Sequence, residues 1–270
     1  SEITMQDIFE GRLDISEDIL YFAKEQLSEE AWAQLLPMVD SYAAEEFALA
    51  ALLPEHEDEM KLAMATPHTI LALVHHLLDV QPDEYVGDLC CGSGSGFVSF
   101  AMNQPDAHYF GYEINEERGG IARIRAELLG SNVQVQLGDV FQLADDKNTP
   151  RFDKIFSNYP FGMRLRYLGE GSNYMERLAE QYPGLSKATS SDWIFNALLC
   201  DLLAESGKAI GIMTNGSTWN SIDTPMRKYF AERKMIECVI SLPVKMFPYT
   251  NIGTTLVVFS HGNDTIRMID

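Results

Sequence analysis

Short apolar strands alternating with helices through residues 61–270 predict an α/β protein with a mainly parallel sheet covered on both faces. Two further observations support that class. A glycine-rich turn, Asp88-Leu89-Cys90-Cys91-Gly92-Ser93-Gly94-Ser95-Gly96, joins a strand-like run to a helix-like one. Seven strand-like runs occur, and the last two leave no room for a long crossover helix, so the closing pair is expected to be antiparallel. At 270 residues and 46% apolar content, the chain is the size of one α/β domain plus a small extra module.

The elements follow in order. Residues 16–53 read as helices: Ser16 caps an acid-rich first turn, and Ile19, Phe22, Ala23 and Leu27 recur at helical spacing. The charged connector Pro54 to Glu59 places a boundary near residue 60, which divides a helical module (1–60) from the α/β domain (61–270). Thr66 as N-cap and Pro67 in the first turn predict a helix through Ile70 to Leu78. Tyr85–Leu89 is a strand entering the glycine turn, and Phe97 to Met102 the helix leaving it. Strand Tyr109–Glu113, helix Glu116–Leu129 and the alternating strand Val133–Leu137 follow. Strand Asp153–Ser157 ends at Asn158, and a helix is expected over Trp193 to Ala204. Ala209–Met213 reads as a strand buried on both faces, followed by a helix over Pro225 to Glu232 and strands Ile236 to Leu242 and Thr254 to Phe259.

One long stretch, Gly162 to Ser191, interrupts the series directly after Asn158, with a short helix expected near Tyr174 to Glu180. It carries Arg164, Arg166, Tyr167, Tyr174, Arg177, Tyr182 and Lys187, a mixture of bases and aromatics that suits a nucleic-acid backbone and splayed bases, or an ordinary solvated loop.

Charge limits the function classes. A net charge of −20 argues against a protein that grips DNA unaided. Residues 1–60 hold sixteen acids and two bases, so most of the excess sits in the helical module. That acidity reads as a solvated helical surface, or as a face that docks a basic partner or holds the module off DNA. There is no apolar run long enough for a transmembrane span. The N-terminus, Ser1-Glu2-Ile3-Thr4, has no basic region, no apolar signal segment and no initiator Met, so a processed chain or an excised fragment is expected. Cys90, Cys91, Cys200 and Cys238 lack zinc-type spacing; reduced thiols of a cytosolic protein, and no metal, are expected.

The chemistry concentrates at strand ends. Gly92, Gly94 and Gly96 let the backbone approach a ligand closely. Glu113 ends the next strand, where an acid can take two ribose hydroxyls, a layout that fits both NAD and S-adenosylmethionine. Asp139 ends the third strand at the same sheet edge and can accept from an adenine amine. Asn158-Tyr159-Pro160-Phe161 ends the fourth, at the switch point where open α/β sheets bind ligands. There an Asn carboxamide oxygen and the Tyr159 carbonyl can accept from the protons of a planar exocyclic amine, and Phe161 can stack on its ring. Pro160 biases Tyr159 to an extended backbone that aims its carbonyl. Methyl transfer from S-adenosylmethionine to an amino nitrogen uses these parts; hydride transfer does not need them.

On these residues the chain resembles the amino-methyltransferases of the N6-adenine DNA methylase group, in particular the catalytic core of modification subunits of type I restriction-modification systems. The resemblance runs from about Met60 to Phe259 and includes Gly207-Lys208-Ala209-Ile210-Gly211-Ile212, Val239-Ile240-Ser241-Leu242-Pro243, Phe247, Thr250-Asn251-Ile252 and Thr254 to Phe259. It implies a Rossmann-like class I S-adenosylmethionine-dependent methyltransferase fold with a seven-stranded sheet. It further implies that Thr66, Asp88, Cys90, Gly92, Gly94, Gly96, Glu113, Ile114, Asp139 and Val140 hold the cofactor, and that Asn158, Tyr159, Pro160 and Phe161 carry the transfer. The expected reaction is N6 methylation of adenine in DNA, with a separate specificity subunit choosing the site. Other acceptors, a glutamine amide or an RNA base amine, and a non-catalytic assembly role are the alternatives. The chain departs from the family pattern at Tyr159, where Pro is usual, and Met213-Thr214-Asn215-Gly216-Ser217 lacks a Pro often seen there. Full modification subunits are also considerably longer.

Overall fold

The computed structural model of the chain describes residues 65–146, 148–163, 173–247 and 250–270. The helical module expected over residues 1–60, and Arg164, Arg166 and Tyr167, lie outside them.

Among the described residues sixteen elements follow one another: α1 (His68–Leu78), β1 (Tyr85–Leu89), α2 (Ser95–Asn103), β2 (His108–Glu113), α3 (Glu116–Leu129), β3 (Val133–Leu137), α4 (Val140–Leu143), β4 (Phe152–Ser157), α5 (Tyr174–Gln181), α6 (Ser191–Leu202), β5 (Leu203–Thr214), α7 (Gly216–Trp219), α8 (Thr224–Glu232), β6 (Ile236–Ser241), β7 (Thr254–Phe259) and β8 (Arg267–Ile269). The strands form one sheet in the order β3-β2-β1-β4-β5-β7-β6-β8. The first five run parallel, and β7 inserts antiparallel between β5 and β6. The seven expected strands and the antiparallel closing pair are present. An eighth, β8, adds to β6 in parallel at the sheet edge. All three of its residues are exposed, so no burial pattern marked it in the sequence.

Alternation within strands builds two apolar layers, one on each face of the sheet. From β7, Val257 and Phe259 join one layer while Leu256 and Val258 join the other. The first layer collects Trp193, Phe195 and Leu198 of α6 and Phe230 of α8. The second collects Ile70 and Val74 of α1, Phe97 and Phe100 of α2, and Ala122 and Ala126 of α3. Helix α6 is buried at every position, and its two aspartates are satisfied from neighbouring elements. Asp192 accepts from the Thr214 amide and hydroxyl and from the Ser217 hydroxyl, and Asp201 accepts from the Tyr174 hydroxyl.

Local signals set several helix ends. Asn115 caps α3 by accepting from the Arg118 amide at 2.9 Å, and Glu116 and Glu117 complement the helix N-terminus. At α1 the expected cap shifts by one residue. Pro67 itself is the N-cap, its carbonyl accepting from the Ile70 and Leu71 amides, and the Thr66 hydroxyl is used elsewhere. Among the described residues no helix is long and apolar enough to cross a membrane, and no cluster of His, Cys, Asp and Glu could hold a metal ion. All four cysteines are unpaired thiols.

Candidate functional site

The carboxyl ends of β1, β2, β3 and β4 converge on a cleft of about 400 Å³, within the size range of small-molecule sites. It opens where the strand order reverses, between β1 and β4. Of the residues singled out in the sequence, Thr66, Asp88, Cys90, Gly92, Gly96, Glu113, Ile114, Asp139, Val140 and Asn158 to Phe161 all line it. Gly94 does not. It is the left-handed N-cap of α2 (φ 93°), and an added Cβ would meet the Phe97 ring at 2.4 Å, so its role is to let the turn close.

The turn after β1 is built around a buried carboxyl group. Asp88 Oδ2 accepts from the Phe97 amide at 3.0 Å, in the first turn of α2. A Cβ on Gly96 would stand 2.3 Å from that oxygen. Burial pushes the Asp88 carboxyl up to about 8; the Phe97 amide opposes this and the nearby Glu113 adds to it. The arrangement discriminates between ligands. A pyrophosphate at a glycine turn needs the N-terminal amides of the following helix, and here a carboxyl group occupies that helix end. Cys90 stands in the left-handed region (φ 65°), with its thiol pushed up by burial and by Glu113, so it is no nucleophile at neutral pH.

Glu113 is held by backbone. Its Oε2 accepts from the Gly92 amide and its Oε1 from the Asn115 amide, both at 2.8 Å, with the Arg118 guanidinium 3.7 Å away. These contacts lock the β1 turn to the end of β2. Ile114 lies at the rim, 66% exposed. Asp139 caps the single turn α4 by accepting from the Phe141 amide at 2.9 Å, and Val140 and Phe141 present an apolar wall. Three carboxyl groups (Asp88, Glu113, Asp139) and one guanidinium (Arg118) line the cleft, an acceptor-rich set that suits a ligand carrying hydroxyls, an amine and positive charge.

Asn158 follows β4 and is bracketed on both sides. The preceding Ser157 hydroxyl donates to the Leu89 carbonyl. The following Tyr159 is buried, stacks on Phe195 at 4.9 Å and 7°, and donates from its hydroxyl to Asn196 Oδ1 at 2.8 Å. Burial holds the Tyr159 phenol well above its ordinary range, so it exchanges no proton with a substrate. Asn158 Nδ2 donates to Thr66 Oγ1 at 3.0 Å. Phe161 meets Phe247 edge to face at 6.2 Å, with its ring in the cleft lining.

The stretch after Asn158 differs from its sequence reading. Tyr174 and Tyr182 are buried, Tyr174 against Phe141 and Tyr182 stacked on Phe230. Arg177 pairs with Asp145 and lies over the Tyr174 ring at 4.7 Å. The two tyrosines build the core, while the described bases of this stretch, Arg177 and Lys187, are both exposed. The expected short helix is present as α5.

Sequence reasoning missed Tyr112, Phe195, Met163 and Thr250, which also line the cleft. It also missed Arg125, buried in α3, whose Nη1 donates to the Ser93 carbonyl at 2.8 Å and ties the glycine turn to that helix. Its signal was a lone Arg between Ala122 and Ala126 on the apolar side of a helix.

The sequence profile of the family described as N-6 DNA Methylase matches residues 46–270. The chain is 26% identical over 200 residues to the type I restriction enzyme MjaVIII methylase subunit of Methanocaldococcus jannaschii, covering 67% of this chain and 34% of that protein. It is 24% identical over 206 residues to the MjaVII methylase subunit of the same organism, covering 67% and 33%. The chain thus spans about a third of the length of the curated relatives it matches. Among solved structures, the type I restriction-modification methyltransferase subunit of Streptococcus thermophilus superposes with a TM-score of 0.64 at 20% identity, over 83% of this chain and 49% of that one. A protein of Listeria monocytogenes assigned as a class I S-adenosylmethionine-dependent methyltransferase gives 0.69 at 16% identity, over 93% and 83%. Both likenesses show the fold, that of the class I methyltransferases.

Proposed function

Because the chain belongs to the N-6 DNA methylase family, we propose that it transfers a methyl group from S-adenosylmethionine to the exocyclic N6 of adenine in DNA, working with a separate specificity partner. The observation that carries this reading is that Asn158 lines the same cleft as the Glu113-anchored glycine turn. The acidic lining and the carboxyl group at the α2 N-terminus support S-adenosylmethionine over NAD. When bound, that cofactor supplies an electrophilic methyl group on a sulfonium.

The residues divide the work. Glu113, its orientation set by two backbone amides, takes the ribose hydroxyls with its remaining lone pairs. Asp139 accepts from the adenine amine beside the Val140 and Phe141 wall, with Ile114 at the rim. Asp88, Cys90, Gly92 and Gly96 shape the floor, and Gly92 keeps open space where a side chain would project. Asn158 Oδ1 and the Tyr159 carbonyl accept the two protons of the target amine, drawing its lone pair out of ring conjugation and toward the methyl carbon. Phe161 stacks on the base. A base within a duplex must be flipped to reach this position, at a cost of a few kcal/mol. The chain's net charge of −20 assigns the phosphate contacts mainly to a partner.

The test is calorimetry of the full chain with S-adenosylmethionine, S-adenosylhomocysteine and NAD, followed by labelled-methyl transfer over DNA, RNA and protein acceptors. Binding of the first two, its loss in Glu113→Ala, and transfer to DNA abolished in Asn158→Ala are the expected results. Wild-type transfer by Asn158→Ala would remove the catalytic assignment, and preferential labelling of RNA or protein would change the acceptor.

A further inference from the structure

Building on that reading, we infer that Thr66 is a positioning residue for Asn158: its hydroxyl selects which arm of the Asn158 carboxamide faces the acceptor amine. An Asn side chain at the end of a strand has one cheap freedom, a half-turn about its last torsion that exchanges the oxygen and the nitrogen. With oxygen toward the substrate, the carboxamide accepts an amine proton. With nitrogen toward it, two donors oppose each other and the contact is repulsive. The backbone on either side cannot make this choice, because Ser157 and Tyr159 fix only where the Asn158 main chain runs.

Thr66 can make it. Its Oγ1 accepts from Asn158 Nδ2 at 3.0 Å, across 92 residues of chain. The hydroxyl is rigidly placed. Thr66 is buried, its side chain is branched at Cβ, and Pro67 restricts its backbone. Pro67 is in turn fixed as the N-cap of α1, which is anchored by Ile70, Leu71, Val74 and Leu78. While the hydroxyl oxygen accepts from Asn158, its hydrogen is directed elsewhere, and Thr66 itself lines the cleft. A cofactor group that takes this hydrogen therefore also holds the hydroxyl as an acceptor and keeps the Asn158 oxygen presented to the amine.

Thr66→Val keeps the shape and removes the hydroxyl, Thr66→Ser keeps the hydroxyl, and Asn158→Ala serves as reference. Each is measured for kcat and KM of methyl transfer to unmethylated DNA, for cofactor Kd, for urea midpoint and, by NMR, for the exchange rate of the Asn158 side-chain amide protons. Thr66→Val is expected to lower kcat about tenfold, equivalent to ~1.4 kcal/mol, with a urea midpoint no lower than that of Asn158→Ala, which loses the same bond, and with the Asn158 amide protons exchanging faster; Thr66→Ser restores both kcat and exchange rate. Wild-type kcat in Thr66→Val, or no rescue by Ser, overturns the inference while loss of activity in Asn158→Ala leaves the proposed function standing. If Asn158→Ala is fully active, the proposed function fails instead; in that case, or if the chain without its partner transfers nothing, the amide exchange rates decide alone: equal rates in wild type and Thr66→Val overturn the inference.

Discussion

Tyr159 offers the sharpest perturbation, because its side chain is locked in the core while the residue lies within the proposed catalytic tetrapeptide. The ring is 1% exposed, lies parallel to Phe195 at 4.9 Å, and presses against Gly211 of β5, where an added Cβ would come within 3.1 Å of it. Its hydroxyl is the hydrogen-bond donor to Asn196 Oδ1, and Asn196 is itself fully buried, with its nitrogen 3.6 Å from the Met213 sulfur. Tyr159→Phe keeps the stack and leaves the Asn196 oxygen without that donor, a loss of about 1–3 kcal/mol. Tyr159→Ala removes the whole buried ring and costs about 3–5 kcal/mol. Tyr159→Pro restores the residue usual in the family tetrapeptide, yet it vacates the same volume and is expected to fall with Ala. For a domain of this size each kcal/mol moves Tm by roughly 2–4 °C. Urea and thermal unfolding of the three variants measure the ordering, and methyl transfer measured alongside reads the carbonyl. Phe is expected to keep most of the turnover, because stacking and Pro160 still aim the backbone. Stability of Tyr159→Pro or Tyr159→Ala within 1 kcal/mol of wild type would refute the clamp, and a Phe variant as stable as wild type would remove the hydrogen bond from it.

Other outcomes follow from the same geometry. Asp88 titrates near 8 in the ligand-free protein, so below that pH it is neutral, and a cation held beside it favours the carboxylate. S-adenosylmethionine binding is then accompanied by proton release at pH 6–7, and affinity rises with pH by up to about tenfold per unit before levelling near 8. Calorimetry in buffers of different ionisation enthalpy detects the proton, and Asp88→Asn should abolish both effects. The same raised pKa means that the Asp88 contribution to ligand-free stability falls as pH rises from 3.8 toward about 8, since the unfolded chain ionises this group first. Gly96→Ala drives a methyl group into Asp88 Oδ2 at 2.3 Å and displaces the carboxyl group from the α2 end; cofactor affinity is expected to fall at least tenfold, and unchanged Kd would show that this carboxyl group is not part of the site.

Much of the architecture was legible because it is encoded over short windows. The helix Glu116–Leu129 and the strand Thr254–Phe259 were readable at their observed bounds. The strand ends that carry Glu113, Asp139 and Asn158 were readable for the same reason: polar residues stopping apolar runs at regular intervals. Other features had no local signal. β8 is three exposed residues whose identity as a strand comes entirely from pairing with β6. Tyr174 and Tyr182 looked like loop aromatics until α6 and α8 supplied the surfaces that bury them.

The chain's sequence by itself determined the element types, the parallel character of most of the sheet and the candidate residues of the cleft, since strand periodicity, helix caps and glycine turns act between near neighbours. Tertiary structure alone decided what those residues can do. It put a carboxyl group on the α2 N-terminus, turned the Tyr159 ring into the core, seated Arg125 under the glycine turn and joined Thr66 to Asn158 across 92 residues. Each of these depends on burial and on a partner distant in sequence, and burial is what makes one hydrogen bond, or its absence, large enough to orient a side chain or move a proton.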